Sequence, residues 1–162
     1  MSVPALVFAI TIVAVLGRGL VNSMIAIGIV FAPRFFRLAR ATANELRNET
    51  FIEASVAIGC STTRTLVRHV FPNAAAPIVV QGALTMGAAL IAEASLSFLG
   101  LGVRPPTASW GSMVGNAYIQ IYQAPYLAYP PGLLIMLSVV CFMLVGDGLR
   151  KAFGTRLLVR DE

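Results

Sequence analysis

The sequence predicts an all-α polytopic membrane bundle, and three observations carry that reading. The chain of 162 residues is 57% hydrophobic and 12% charged, with a mean hydropathy of +0.81, which is too apolar for a water-soluble domain of this size. Its apolar runs are long and do not alternate, and backbone facing lipid must satisfy its own hydrogen bonds, which favours helices over strands. Its basic residues collect in two regions beside those runs. The formal charge of +5 is therefore explained by sidedness in a membrane. No basic stripe interleaved with aromatics is present, so nucleic acid is not an expected partner.

Four apolar stretches follow in order. Val3 to Leu16 is the shortest; it begins at the initiator Met without the basic region of a signal peptide, ends at the Gly17-Arg18-Gly19 turn, and reads as the remnant of a span. Leu20 to Phe36 carries Pro33 near its end, Ala74 to Leu101 is the longest, and Leu127 to Val145 carries Pro130 and Pro131 in its first turns. A crossing takes about 20 residues, within a range of roughly 17 to 25, and the last three stretches meet it. The expected architecture is a single transmembrane domain over 1–162 with about four transmembrane helices, a cytoplasmic loop at about 37–73, an outer re-entrant or loop segment at about 100–126 and a cytoplasmic tail at about 147–162.

The cations set the orientation. Arg34 at the end of the second stretch and Arg37, Arg40, Arg47, Arg64 and Arg68 after it precede the third, and Arg150, Lys151, Arg156 and Arg160 follow the fourth; only Arg18 and Arg104 fall elsewhere. Under the positive-inside tendency both basic regions face the cytoplasm, which agrees with the parity of the spans. Cys60 and Cys141 have no partner spacing and read as free thiols, supporting neither a disulfide nor a metal site.

The middle loop has helix signals of its own. Thr50 and Glu53 fit a capping box, so a short helix starts at about Thr50. Gly59 suits the left-handed residue that closes it, Ser61 is placed to cap a second helix running to His69 or Val70, Pro72 is expected to stop that helix, and Asn73 to cap the third span. Phe51, Ala54 and Ile58 share one face of the first helix, and Ala54 and Ala57 are small enough to let another surface approach. From the residues alone two readings stand side by side. One is a docking site for a soluble partner; the other is an interfacial helix pair with Arg64 and Arg68 reaching lipid phosphate.

The spacing of Glu53-Ala54-Ser55, then Gly59, then His69-Val70-Phe71-Pro72-Asn73 resembles the "EAA" loop of ABC importer permeases, and its ending is similar to the peptide-transporter branch. Ser55 departs from the pattern, standing where a second Ala is usual. Ala92-Glu93-Ala94-Ser95-Leu96-Ser97-Phe98-Leu99-Gly100-Leu101-Gly102, followed by Pro105-Pro106 and Ser109-Trp110-Gly111, resembles the dipeptide and oligopeptide permeases, especially the second of their two membrane subunits. Gly146-Asp147-Gly148-Leu149-Arg150 adds a third match.

The resemblance implies a permease subunit of a peptide or nickel importer, in the cell membrane, with the transported solute left open. A family bundle of about six helices implies that an N-terminal part with two spans is lacking here. Phe51, Glu53, Ala54, Ser55 and Gly59, flanked by Arg64, Arg68, His69 and Pro72, would form the contact with a cytoplasmic ATPase. The implied partners are a second permease, two ATPase subunits and an extracytoplasmic solute-binding protein, all within the bilayer or against it. The sequence has no phosphate-cradling glycine loop ending in Lys-Ser or Lys-Thr, so ATP and other cofactors are expected on partners, and the chain itself is not expected to be an enzyme. A non-transporting membrane assembly protein is the alternative.

Other residues divide between roles. Glu93 in the third span is a pathway candidate, since an ionised side chain there costs at least about 2.5 kcal/mol unless paired or wet, or else a carboxyl solvated near the outer end. Gly87 and Met86 are the other pathway candidates. His69 reads chiefly as a helix-terminal residue, and Asp147 as a local ion-pair partner of Arg150 and Lys151. Trp110, Tyr118, Tyr122, Tyr126 and Tyr129 suit an outer headgroup belt. Gly82, Ala83, Gly87, Ala88, Ala89 and Ala92 would let the third span pack closely against neighbours.

Overall fold

The computed structural model describes residues 4–103 and 106–158, with backbone alone at Val56 and 154–158. Val3, Arg104, Pro105 and Arg160, used in the reading above, lie outside the described residues, as does the side chain of Arg156. Among the described residues every regular element is helical: α1 (Ala5–Leu16), α2 (Leu20–Arg47), α3 (Thr50–Ala57), α4 (Thr62–Thr65), a π-helical turn (Leu66–Val70), α5 (Phe71–Phe98), α6 (Trp110–Ile119), a 3-10 turn (Pro125–Ala128) and α7 (Tyr129–Leu158). Three helical stretches are long and apolar enough to cross a membrane: Leu20–Arg47, Thr62–Phe98 and Pro125–Phe153. With 12 residues, α1 reaches about 18 Å against a hydrocarbon thickness of about 30 Å, so, as the shortness of its apolar stretch implied, it falls short of a crossing among the described residues. Within the apolar windows of the three long stretches only 17%, 22% and 11% of residues are buried. Water would not tolerate that surface, which needs lipid or partner helices to cover it.

The helices overrun the apolar stretches that announced them. α2 passes Pro33 and Phe36 and ends at Arg47, because nothing before Asn48 breaks it and Ala, Arg, Glu and Leu all favour the helix. α7 likewise continues through the residues read as a tail, to Leu158. The chain divides into two compact units. One comprises Met1–Ala32 with Thr85–Leu144, the other Pro33–Leu84 with Val145–Glu162.

The first unit packs around Leu96. Leu96 of α5 is fully buried against Ala9 and Val13 of α1 and Ala26 and Ile27 of α2, with Ala89, Ala92 and Leu101 at the margin. α5 ends in a Schellman motif: Gly100 takes φ +73°, its N–H donates to Ser97 O at 3.0 Å, and Leu101 N–H donates to Leu96 O at 2.9 Å. The Leu101 carbonyl in turn accepts from Gly19 N–H and from the hydroxyl of buried Ser23, both at 3.3 Å. Asn22 Nδ2 donates to the otherwise open carbonyls of Leu16 and Gly17 at 2.8 and 2.9 Å, closing the end of α1.

The segment expected as a re-entrant stretch or loop contains α6. Its start is a capping box, in which Ser112 N–H donates to Ser109 Oγ at 3.2 Å and Ser109 N–H donates to Ser112 Oγ at 3.1 Å. Gly111 and Gly115, four apart on one face, let α6 lie directly on the backbone of α5: a Cβ at Gly111 would overlap Ala94, and one at Gly115 would sit 3.0 Å from Phe98 O. Gly87 of α5 packs against Val139 and Phe142 of α7. In the second unit a Cβ at Gly146 of α7 would lie 2.6 Å from Leu84 of α5, so α5 and α7 meet closely in each.

Gly111→Val is expected to push α6 off α5 at a cost of about 1–3 kcal/mol, as overpacking of a tight contact does. Gly28, where an added Cβ meets nothing within 4 Å, supplies the control: thermal unfolding in detergent should lower the melting temperature for Gly111→Val and not for Gly28→Ala.

Candidate functional site

The candidate site is the hairpin of α3 and α4 in the second unit. The first helix begins at Thr50, as expected. Thr50 is already helical, and Ile52 and Glu53 N–H both donate to Glu49 O, at 2.9 and 3.2 Å, which puts Glu49 in the capping position. Gly59 closes α3 as expected, with φ +80°, and Cys60 N–H donates to Ser55 O at 3.1 Å in the six-residue bond of a Schellman motif. Ser61 stands at the start of α4 in extended conformation, but its carbonyl does the work, accepting from Thr65 N–H at 3.0 Å; its side chain makes no capping bond.

The two faces of α3 differ in kind. Ile52 and Ser55, three apart, are buried at 5% exposure each, and Thr65 of α4 is buried at 7%. Ser55 Oγ donates to Ile52 O at 2.8 Å and lies 3.4 Å from Thr65 Oγ1. The hydroxyl that departs from the Glu-Ala-Ala pattern thus faces inward and ties the hairpin together. The other face presents Glu53, Ala54, Ala57 and Ile58 to the outside, with Ile58 81% exposed. Gly59, Arg64, Arg68 and Pro72 are exposed as well, while Phe51 and His69 are half-buried. Of the candidate contact residues, Ser55 alone is turned away from any approaching surface.

Pro72 does not stop the second short helix. From Thr62 to Phe98 the chain is one helical stretch of 37 residues. A proline lacks an amide and crowds the carbonyl four residues back. Here the preceding turn is π-helical, with Phe71 N–H donating to Leu66 O, five residues back, and the wider turn accommodates the ring. Asn73 consequently caps no helix start. Its Nδ2 donates to His69 O at 2.6 Å.

The pathway candidates fall into different surroundings in the first unit. Glu93 is half-buried, and Ser97 Oγ donates to its Oε1 at 2.6 Å while Val103 N–H donates to Ser97 Oγ at 3.3 Å. The carboxylate is therefore held by the structure that closes α5. Met86 is 55% exposed, whereas Gly87 is a packing position against α7. Tyr118 meets Phe98 edge to face at 5.8 Å, and Tyr122, Tyr126 and Tyr129 are largely exposed, as amphipathic rings at a headgroup layer would be. Asp147, Arg150 and Lys151 are exposed on α7. Sequence reading missed the Ser55–Thr65 link, the glycine pair of α6 and its capping box. The Gly111-x-x-x-Gly115 spacing was the available signal for the second, and Ser109 followed three residues later by Ser112 for the third.

Residues 1–159 match the family model of the binding-protein-dependent transport system inner membrane component. Over 154 residues the chain is 44% identical to the glutathione transport system permease protein GsiD of Escherichia coli O157:H7, covering 95% of this chain and 51% of that protein. The same figures hold for GsiD of Shigella sonnei (strain Ss046). The chain spans about half the length of the curated relatives it matches.

Ser55→Leu is expected to force α3 and α4 apart, costing about 1–3 kcal/mol through overpacking, whereas Ser55→Ala forfeits one hydrogen bond worth about 1 kcal/mol. Limited proteolysis around Gly59 should accelerate strongly for the first and slightly for the second.

Proposed function

The chain belongs to the family of binding-protein-dependent transport system inner membrane components, and from that membership we propose that it is a membrane subunit of an ATP-driven importer of small peptides. Its α3–α4 hairpin docks on a cytoplasmic ATPase subunit. A second permease subunit completes the pathway, two ATPase subunits hold and hydrolyse the nucleotide, and a separate extracytoplasmic protein delivers the solute. Glutathione, named in the relatives' descriptions, is a tripeptide and supports the peptide class.

The observation that carries this reading is the two-faced α3. A short helix with Ile58 81% exposed beside two alanines and a carboxylate is a surface that gains by being covered, and its inner face is already closed by Ile52, Ser55 and Thr65. The basic residues around it favour the cytoplasmic side. Being stapled internally and stopped by Gly59, the hairpin moves as one body. Closure of the ATPases displaces it, and α5, which continues directly from it, carries the displacement along the span and switches the pathway from outward-facing to inward-facing.

Glu53→Lys and Gly59→Val test the coupling in the assembled complex. Reversing the charge on the docking face is expected to weaken ATPase recovery about tenfold, equivalent to about 1.4 kcal/mol. A β-branched residue forced to the φ of Gly59 costs about 1–2 kcal/mol, distorts the end of α3, and should lower both transport and substrate-stimulated hydrolysis. Wild-type transport and stimulation in both variants would remove the coupling role; a wild-type chain that recovers no ATPase favours the assembly-protein alternative.

A further inference from the structure

The hairpin and the third span are joined through the π-helical turn Leu66–Val70, and that joint lies between two anchored points. Thr65, the residue before it, is buried against Ser55, and Ala74, just beyond it, is buried at 7%. Inside the joint Phe71 N–H reaches Leu66 O, Pro72 offers no amide, and the Asn73 side chain donates to His69 O at 2.6 Å. The extra residue of a π-turn is not confined by itself: it migrates along a helix whenever bonds five residues back exchange for bonds four back. Each step of such migration turns one residue by about 100° about the helix axis, from the register of one flank to that of the other, and an extra residue that escapes at the helix start turns the hairpin by the same angle relative to the span. Pro72 blocks the exchange at its own position because it has no N–H to reassign, and Asn73 occupies the carbonyl that the next exchange would use.

We propose that Asn73 is a positioning residue that pins this π-turn, fixing the rotational setting of the hairpin on the third span so that displacement of the hairpin reaches the span instead of being dissipated by register slip. The inference rests on the importer reading for its functional consequence, but the pinned turn itself is a property of this chain. Asn73 is exposed and stands outside the docking face of α3, so its replacement leaves that face intact.

Asn73→Ala and Asn73→Ser separate the possibilities. A serine hydroxyl bonds back to the carbonyl four residues earlier, as Ser95 Oγ does to Ile91 O at 2.8 Å in this chain; the Ser variant should therefore behave as wild type. In the complex reconstituted in proteoliposomes, the Ala variant should retain ATPase subunits at the wild-type ratio while substrate moved per ATP hydrolysed falls about fivefold. Amides between Val70 and Pro77 should exchange about fivefold faster, the factor that corresponds to one hydrogen bond of about 1 kcal/mol. Unchanged exchange and coupling in the Ala variant, or a Ser variant that exchanges as fast as Ala, overturns the pin. A wild-type chain that recovers no ATPase sinks the importer reading separately, and exchange measured on the chain alone in detergent then upholds or overturns the pinned turn.

Discussion

A helix that ends or widens leaves carbonyls and amides that must find partners, from the chain itself wherever water is scarce, and this constraint shapes several departures from regular helix among the described residues. The end of α1 is closed by the Asn22 amide on Leu16 and Gly17. The end of α5 is closed by Gly100 and Leu101 folding back on Ser97 and Leu96, and the carbonyl left at Leu101 is taken up by Gly19 and Ser23. The start of α6 is closed by two serines serving one another. The π-turn before Pro72 is served by Asn73. Polar side chains are few in this chain, and many of those it has sit where the backbone changes course.

The same constraint explains why the hairpin keeps a surface free. Ser55 and Thr65 satisfy each other and the backbone between α3 and α4, so the inner face closes without drawing on Glu53, Ala54 or Ile58. A hairpin that depended on its outer face for stability would lose definition whenever a partner left. This one is specified from within, and the proposed docking reads a shape that exists beforehand.

Much of this was legible in the sequence, and the failures share a cause. Gly59 was readable because a left-handed residue after a short helix has few alternatives to glycine, and the three crossing helices because about 20 apolar residues permit little else. The continuity of Thr62–Phe98 was not readable: Pro72 was expected as a stop, and the chain passes it beside a widened turn at Leu66–Val70. The extension of α2 to Arg47 was missed because hydropathy marks where lipid would end, not where hydrogen bonding ends. In the candidate site, exposure of Glu53 followed from its charge, but the inward turn of Ser55 depends on a partner ten positions along the chain, which no local pattern announces.

The contact of Gly111 and Gly115 with Ala94 and Phe98 has a mechanical corollary. Two helices whose main chains touch do not slide or roll independently; the short helix is geared to the long one. Any twist of α5 at that level sweeps α6 with it, so an aperture bordered by either is widened or narrowed by both together.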